Sequence, residues 1–260
     1  MRAGCPGERL HANTLSMRSA LCLALLLLPA LALAEEDTLG KLDALYARRE
    51  DPAAVKELET AVQTALKATP DDYELLWRAA RARYWVADGQ PNGDTKKRLA
   101  KEAWDLSERA LKKNPKGVEG SYFAALSIGA YSQAVGILSA LAEGLEGKFN
   151  DRLDYAIKAN PDIDHGGPLI AKGRYYFELP WPKRDLGKST QILQKVVEKH
   201  PESLRAYVYL AETQLDDGKT AEAKATLAKA LSGSVSYDPA EGQRAKGMAR
   251  KLQGEKKELR

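Results

Sequence analysis

The amino-acid sequence predicts an all-α protein made of about five antiparallel helix pairs that stack in chain order, followed by a C-terminal helix. Four prolines, Pro70, Pro115, Pro161 and Pro201, recur at intervals of roughly 40 to 46 residues, each five residues after a small or β-branched residue. Proline cannot continue a helix, so each of them marks a helix end. Apolar residues recur at spacings of three and four, and no stretch alternates as a strand would.

The N-terminal segment has the character of a secretory leader. Leu21–Ala34 is uncharged and mostly apolar, Arg18 precedes it, and Ala34 is followed by an acidic residue. This order predicts a signal peptide that is cleaved after Ala34, and export to the periplasm or the medium. The run is too short to span a bilayer, which needs roughly 20 apolar residues. Because the signal pattern begins at Met17, we interpret Met17 as the true start; the alternative is an unusually long N-terminal region that begins at Met1.

Composition excludes several classes of protein. Both cysteines, Cys5 and Cys22, lie in the leader, so the mature chain is predicted to have no disulfide and no thiol chemistry. The 40 basic and 36 acidic residues nearly balance, which argues against a nucleic-acid-binding domain. We therefore predict a leader over 1–34, a helical repeat domain over 35–238, and a basic capping helix over 239–260. No transmembrane helix is expected in the mature chain.

Helical periodicity identifies the individual units in chain order. In the first, fourth and fifth units, apolar and small residues recur at helical spacing on both helices of the pair and form the predicted core. The predicted core residues are Leu42, Leu45, Leu58, Val62 and Ala65 in the first unit, Leu169, Gly173, Tyr176, Leu193 and Val196 in the fourth, and Tyr207, Leu210, Ala211, Gln214, Ala223, Leu227 and Ala230 in the fifth. One helix pair cannot bury its apolar face alone, so neighbouring pairs must stack. Three inserts, 88–95, 127–147 and 179–187, lengthen the repeat and are expected to lie on one face.

The fifth unit resembles a tetratricopeptide repeat, with small residues that let two helices approach closely. That resemblance implies a right-handed helical solenoid. The segments Gly166-Gly-Pro168 and Leu179-Pro-Trp-Pro182, together with Tyr84-Trp-Val-Ala-Asp88, resemble the T component of TRAP transporters (the TatT family). Regulators of microtubule dynamics resemble the chain more distantly. The bacterial resemblance implies a periplasmic, often lipid-anchored protein that forms trimers and engages a solute-binding subunit, although this chain has no lipid-anchor cysteine.

These features favour a binding protein over an enzyme. The first hypothesis is an exported, non-catalytic scaffold for a protein partner, such as a transporter's solute-binding subunit. The alternative is a binding protein for an apolar or acidic solute, held in an aromatic-lined channel between helices. No cofactor is expected, because the P-loop-like segment 186–190 has Pro182 where the motif needs glycine, and no strand precedes it.

Aromatic and charged residues of the predicted first helices are the candidates for the binding surface. First helices line the concave face of such solenoids, and aromatic and arginine side chains contribute most of the energy in interfaces. The candidates are Trp77, Arg81, Tyr84, Trp85, Phe123, Arg174, Phe177, Trp181, Tyr209 and Glu212. Core packing is the competing interpretation for each aromatic residue.

One loop gathers possible metal ligands. Asp162, Asp164 and His165 lie close together, but their spacing matches neither a zinc motif nor a calcium loop. Capping of a helix N-terminus by Asp164 or His165 explains the same residues. His200, beside Pro201, is interpreted as a cation at a helix C-terminus, where the helix dipole favours it.

Overall fold

The computed structural model describes residues 37–260. The chain divides into two units between Lys41 and Leu42, and the second unit, Leu42–Arg260, is compact and contains the stacked helix pairs. The predicted leader, its cleavage after Ala34 and the start at Met17 lie outside the described residues. None of the helices within 37–260 is both long and apolar enough to cross a bilayer.

The described residues are helical, without a β-strand among them, which confirms the predicted all-α class. The elements are α1 (37–47), α2 (Pro52–Ala68), α3 (Tyr73–Asp88), α4 (Asp94–Lys113), α5 (Val118–Val135), α6 (Ile137–Ala142), α7 (Leu145–Ala159), α8 (Ile163–Glu178), α9 (Leu186–Lys199), α10 (Leu204–Asp216), α11 (Thr220–Ser232), α12 (Pro239–Glu255) and a 3₁₀ turn (Lys257–Leu259).

Helices pack with their neighbours in chain order. Within the pairs, α3 packs against α4, α5 against α7, α8 against α9, and α10 against α11. Successive pairs are joined by contacts of α2 with α3, α4 with α5, and α9 with α10, while α12 packs on α10 and α11. This arrangement confirms the predicted stack of antiparallel pairs.

Side-chain caps and close helix contacts explain why the pairs form where they do. Asp51, Asp72 and Asp185 begin α2, α3 and α9, and each carboxylate accepts a hydrogen bond from a backbone N–H of the first turn. In the α8–α9 pair, a Cβ added at Gly173 would lie 2.6 Å from Cγ of the fully buried Leu193. Only glycine therefore allows α8 to approach α9 this closely.

The segment 127–147 was predicted to be a long turn inserted between two helices. In the structure it is largely helical, which corrects that prediction. Helix α5 continues to Val135, and α6 follows directly. The small and apolar residues of this segment favour helix when they can be buried, and Ile128 is fully buried. The turns are confined to Gly136 and Gly144, whose positive φ angles of 91° and 71° suit glycine.

The start of α8 is kinked. Asp164 and His165 have left-handed backbones with φ angles of 48° and 55°, and Gly166 continues this path. Neither side chain caps the helix, so the capping interpretation of Asp164 and His165 is wrong. Pro168 has no N–H to donate to a regular first turn. A left-handed non-glycine residue costs of order 1–3 kcal/mol, so two in succession must be held by their surroundings.

Candidate functional site

The inner face of the second unit encloses a cavity. Its walls come mainly from the first helix of each pair, namely α1, α3, α5, α8 and α10, with further residues from α6, α7 and α12, and its volume is about 440 Å³. The packing of α7 against both α5 and α8 separates these two helices and leaves room between them. The stacking of pairs thus produces one internal space that residues of distant repeats share.

Tyrosine hydroxyls line one part of the cavity. Tyr46, Tyr84 and Tyr122 contribute to the lining, and no hydrogen bond joins their hydroxyls to another described residue. Burial raises the pKa of Tyr46 to about 12, and it raises the pKa of Tyr84 and of Tyr122 well above the ordinary value. These hydroxyls therefore stay protonated and can donate hydrogen bonds to a bound molecule.

Ion pairs join the last helices to the first ones beside the cavity. Asp88, at the end of α3, accepts hydrogen bonds from Arg205 Nη2 of α10 at 2.9 Å and from Arg244 Nη1 of α12 at 3.1 Å. Arg205 also pairs with Glu241, with Nε to Oε1 at 2.5 Å. Burial alone would raise the pKa of Asp88, but the charges of Arg205 and Arg244 outweigh it and lower that pKa to about 2.

Further arginines of the cavity wall are also neutralised. Arg49 Nη2 lies 2.5 Å from Asp238 Oδ2, which links the turn after α1 to the start of α12. Arg174 Nη1 lies 2.5 Å from Glu212 Oε2, and its guanidinium stacks over the Tyr209 ring at 4.7 Å from the centroid. The positive charges at the wall are thus already paired within the protein.

Asp164 differs from the other carboxylates of the wall. It faces the cavity, and no hydrogen bond or ion pair joins its carboxylate to another residue of the described range. Its side chain is exposed at the cavity surface, and the surrounding protein still limits the hydration of the carboxylate. This desolvation raises the pKa of Asp164, although Arg81 and Arg49 act in the opposite direction.

The kink at the start of α8 brings the two histidines of the described range together. His165 Nδ1 lies 2.7 Å from Glu202 Oε1, and His200 Nδ1 lies 3.6 Å from the same oxygen. His200 Nε2 lies 2.9 Å from Asp162 Oδ1. The structure therefore changes the predicted group of Asp162, Asp164 and His165. Asp164 faces the cavity and does not belong to the cluster, whereas His200 and Glu202 lie beside His165.

Nothing in this cluster resembles a nucleophile held by a base. Both imidazoles face carboxylates, and the Ser203 hydroxyl donates to the backbone oxygen of His165 at 3.0 Å. A serine activated by histidine would instead donate to a ring nitrogen.

The structure separates the predicted surface residues into two groups. Those that line the cavity are Tyr84, Trp85, Phe123, Arg174 and Tyr209. Those that lie elsewhere are Trp77, Arg81, Phe177, Trp181 and Glu212.

Each residue of the second group has another environment. Trp77 and Phe177 are buried at 9% exposure each, and Trp181 is 89% exposed in the loop between α8 and α9. Arg81 pairs with Asp43, and Glu212 with Arg174.

Sequence reasoning missed the charged residues that join distant helices. Arg49, Asp88, Arg205, Asp238 and Glu241 all line the cavity, but their partners are 36 to 189 positions away along the chain. No local spacing indicates such pairs. Only Asp88 gave a hint in the sequence, because it belongs to the segment Tyr84–Asp88 that resembles the TRAP transporter T component.

Comparison with known proteins agrees with this architecture. The model of the family described as Regulator of microtubule dynamics protein 1-3 matches residues 38–253. The chain belongs to this family. Regulator of microtubule dynamics protein 1 from Pongo abelii is 32% identical over 120 residues, which cover 45% of this chain and 38% of that protein. The Bos taurus protein is 32% identical over 120 residues, covering 45% and 37%.

These matches reach less than two-fifths of the length of either regulator. Among solved structures, a thermophilic TPR protein of Thermus thermophilus superposes with a TM-score of 0.61 at 22% identity, covering 82% of this chain and 98% of that one. Yeast Tom70 superposes with a TM-score of 0.38 at 15% identity, covering 76% and 43%. The superposition on the Thermus structure supports a tetratricopeptide-like fold for this chain.

Proposed function

We propose that the chain is an exported, non-catalytic binding protein that holds a small solute in its inner cavity. The observation that carries the proposal is the cavity itself. Its volume of about 440 Å³ lies within the roughly 300–1,000 Å³ typical of small-molecule sites, and its wall combines aromatic rings with a few polar groups. Export rests on the predicted leader.

The charges of the wall indicate which solutes fit. Three arginines and seven carboxylates line the cavity. The arginines already pair with carboxylates, whereas Asp164 has no such partner. An acidic solute would meet this carboxylate without a free cation to offset it. We therefore favour a neutral or cationic solute with an apolar body and a hydrogen-bond donor that Asp164 accepts.

Filling the cavity is expected to abolish solute binding. Ala171 lies on α8 and lines the cavity, so Ala171→Trp places an indole ring where the solute would lie. A solute at 100 times its dissociation constant adds about 2.7 kcal/mol to the stability of the wild-type chain, equivalent to about 5–10 °C in melting temperature. A thermal-shift screen of neutral, cationic and acidic compounds measures this, and Ala171→Trp is expected to lose the shift.

The matched control is Ala225→Trp, the same substitution at an exposed position of α11 outside the cavity. It is expected to keep the full thermal shift. A compound that stabilises Ala171→Trp as much as the wild-type chain would bind elsewhere and would contradict the cavity as the site. Stabilisation by acidic compounds alone would contradict the proposed class of solute.

A second function, a scaffold for a protein partner, is favoured by the tetratricopeptide-like fold and by Trp181. This side chain is 89% exposed, and tryptophan is the residue type most enriched in interface hot spots. By resemblance to the TRAP transporter T component, the proposed partner is a transporter's solute-binding subunit, engaged by a trimer of this chain.

Under this second function, Trp181→Ala is expected to weaken binding of a purified solute-binding subunit about thirtyfold, a change of about 2 kcal/mol. Titration calorimetry measures the affinity. Leu138→Ala removes another exposed apolar side chain, from α6, and serves as the control. Equal affinity of wild-type and Trp181→Ala proteins would exclude Trp181 as the contact, and solute binding in the cavity should be unaffected by either change.

A further inference from the structure

His165, His200 and Glu202 form a three-residue cluster at the rim of the cavity. Their ligand atoms all lie within 4.8 Å of one another, although they come from the start of α8, the end of α9 and the turn before α10. Two imidazole nitrogens and one carboxylate oxygen are a donor set that binds late first-row transition metals. Calcium and magnesium prefer oxygen ligands alone, so they fit this set poorly.

The second nitrogen of His200 is held in a way that metal sites favour. Its Nε2 lies 2.9 Å from Asp162 Oδ1, and Lys199 Nζ lies 2.6 Å from the same oxygen. If Nε2–H donates to the Asp162 carboxylate, the lone pair of Nδ1 faces Glu202 and His165. Histidine ligands of metals commonly donate their other N–H to a carboxylate, which fixes the tautomer and the ring orientation.

The backbone at His165 also helps to bring the three ligand groups together. Its left-handed conformation, with φ of 55°, carries the imidazole to Glu202, and the Ser203 hydroxyl holds the His165 carbonyl oxygen at 3.0 Å. Gly166 lets the turn approach His200, since an added Cβ would lie 3.0 Å from its Cδ2. Uncommon backbone conformations of this kind cluster at functional sites.

We propose that His165, His200 and Glu202 bind a divalent transition-metal ion of the zinc class, with Asp162 as the positioning residue for His200. Three protein ligands leave at least one coordination position open for water. His165 and Glu202 are partly exposed, so an ion can reach the cluster from solvent. On binding, the hydrogen bond between His165 and Glu202 is exchanged for two bonds to the ion. The site is independent of the solute proposed for the cavity.

Zinc titration of the full chain tests the site. The protein is prepared without a histidine tag, freed of metal with a chelator, and titrated with Zn²⁺ in a calorimeter. One saturable ion per chain is expected. His200→Asn, Glu202→Gln and His165→Asn each remove one ligand and should abolish this binding, and asparagine tolerates the left-handed backbone at position 165. Asp162→Asn keeps all three ligands and should weaken binding by about 10–100-fold.

Glu198→Gln is the matched control, because Glu198 is an exposed carboxylate of the same helix α9. It should bind Zn²⁺ with wild-type affinity. Co²⁺ provides a measurement that needs no variant, since its visible absorption reports nitrogen and oxygen ligation in the wild-type chain. Absence of saturable Zn²⁺ binding, or equal binding by the His165→Asn and Glu202→Gln proteins, would overturn the proposal and leave the cluster as hydrogen bonds that join α8 to α10.

Discussion

Replacing Asp88 by alanine is expected to lower the free energy of unfolding by about 3 kcal/mol. Asp88 is 16% exposed and accepts hydrogen bonds from Arg205 and Arg244, on helices that are far away in the chain. Without Asp88, Arg205 keeps only one carboxylate partner, Glu241, and Arg244 loses its ion pair, although both guanidinium groups remain largely buried. Urea unfolding at neutral pH, followed by far-UV circular dichroism, measures the effect.

The same residue predicts a pH dependence. The pKa of Asp88 is about 2 in the folded chain, below the ordinary aspartate value of 3.8 that applies to the unfolded chain, so its stabilising contribution is complete above about pH 4. That contribution is lost as the pH falls through about 2. The difference in unfolding free energy between wild-type and Asp88→Asn proteins should therefore shrink by about 2 kcal/mol between pH 5 and pH 2.

A surface carboxylate provides the control for Asp88. Asp71 pairs with Lys113 but is largely exposed, so Asp71→Ala should leave the unfolding midpoint unchanged within error. If Asp88→Ala also unfolded like the wild-type chain, the ion pairs between α3, α10 and α12 would contribute nothing to stability. The cavity would then be held together by apolar packing and by the other ion pairs of its wall, such as Arg49 with Asp238.

The helix pairs could be predicted from the sequence because their signal is local. Leu193 and Val196 were predicted to lie on one apolar face of a helix that ends before Pro201, and they are 0% and 1% exposed on α9. Spacings of three and four determine which side chains share a helix face, whatever the rest of the chain does. The same reasoning identified Leu58 and Val62 on α2, which are also buried.

The cavity could not be predicted in the same way, because the contacts that shape it join distant repeats. Arg49 and Asp238 form an ion pair across 189 positions, and helical periodicity carries no information about such a contact. The cluster of His165 and His200 has a different cause. It depends on a left-handed turn at positions 164 and 165, where the sequence suggested an ordinary helix cap.

Helical phase also failed to separate core from inner surface on α3. Trp77, Tyr84 and Trp85 were all candidates for the binding surface, with core packing as the competing interpretation for each. Trp77 and Tyr84 are seven residues apart and therefore lie on nearly the same side of the helix. Tyr84 and Trp85 line the cavity, whereas Trp77 lies about two turns earlier and packs into the core with Leu76 and Phe123. The two environments differ by position along α3, because Phe123 of α5 covers Trp77 whereas Tyr84 borders the cavity, and the sequence of a single helix does not specify this.

Trp77→Ala is accordingly expected to act on stability. Trp77 is 9% exposed, its ring stacks on Phe123 at 6.2 Å between centroids, and its Nε1–H donates to Glu74 at 2.9 Å. Truncating a buried tryptophan removes its apolar contacts and leaves a cavity, at a cost of about 3–5 kcal/mol in unfolding free energy. Urea unfolding followed by circular dichroism measures this without relying on tryptophan fluorescence.

Trp181→Ala makes the same chemical change at a side chain that is 89% exposed, so its unfolding free energy should stay within about 0.5 kcal/mol of the wild type. Comparing the two variants therefore shows whether the loss of stability depends on the burial of the tryptophan or only on its removal. If Trp77→Ala were as stable as Trp181→Ala and had lost ligand binding instead, Trp77 would belong to the binding surface. In that case the packing of α3 against α5 at this position would be wrong, because the stacked ring of Phe123 leaves the indole no route to a ligand.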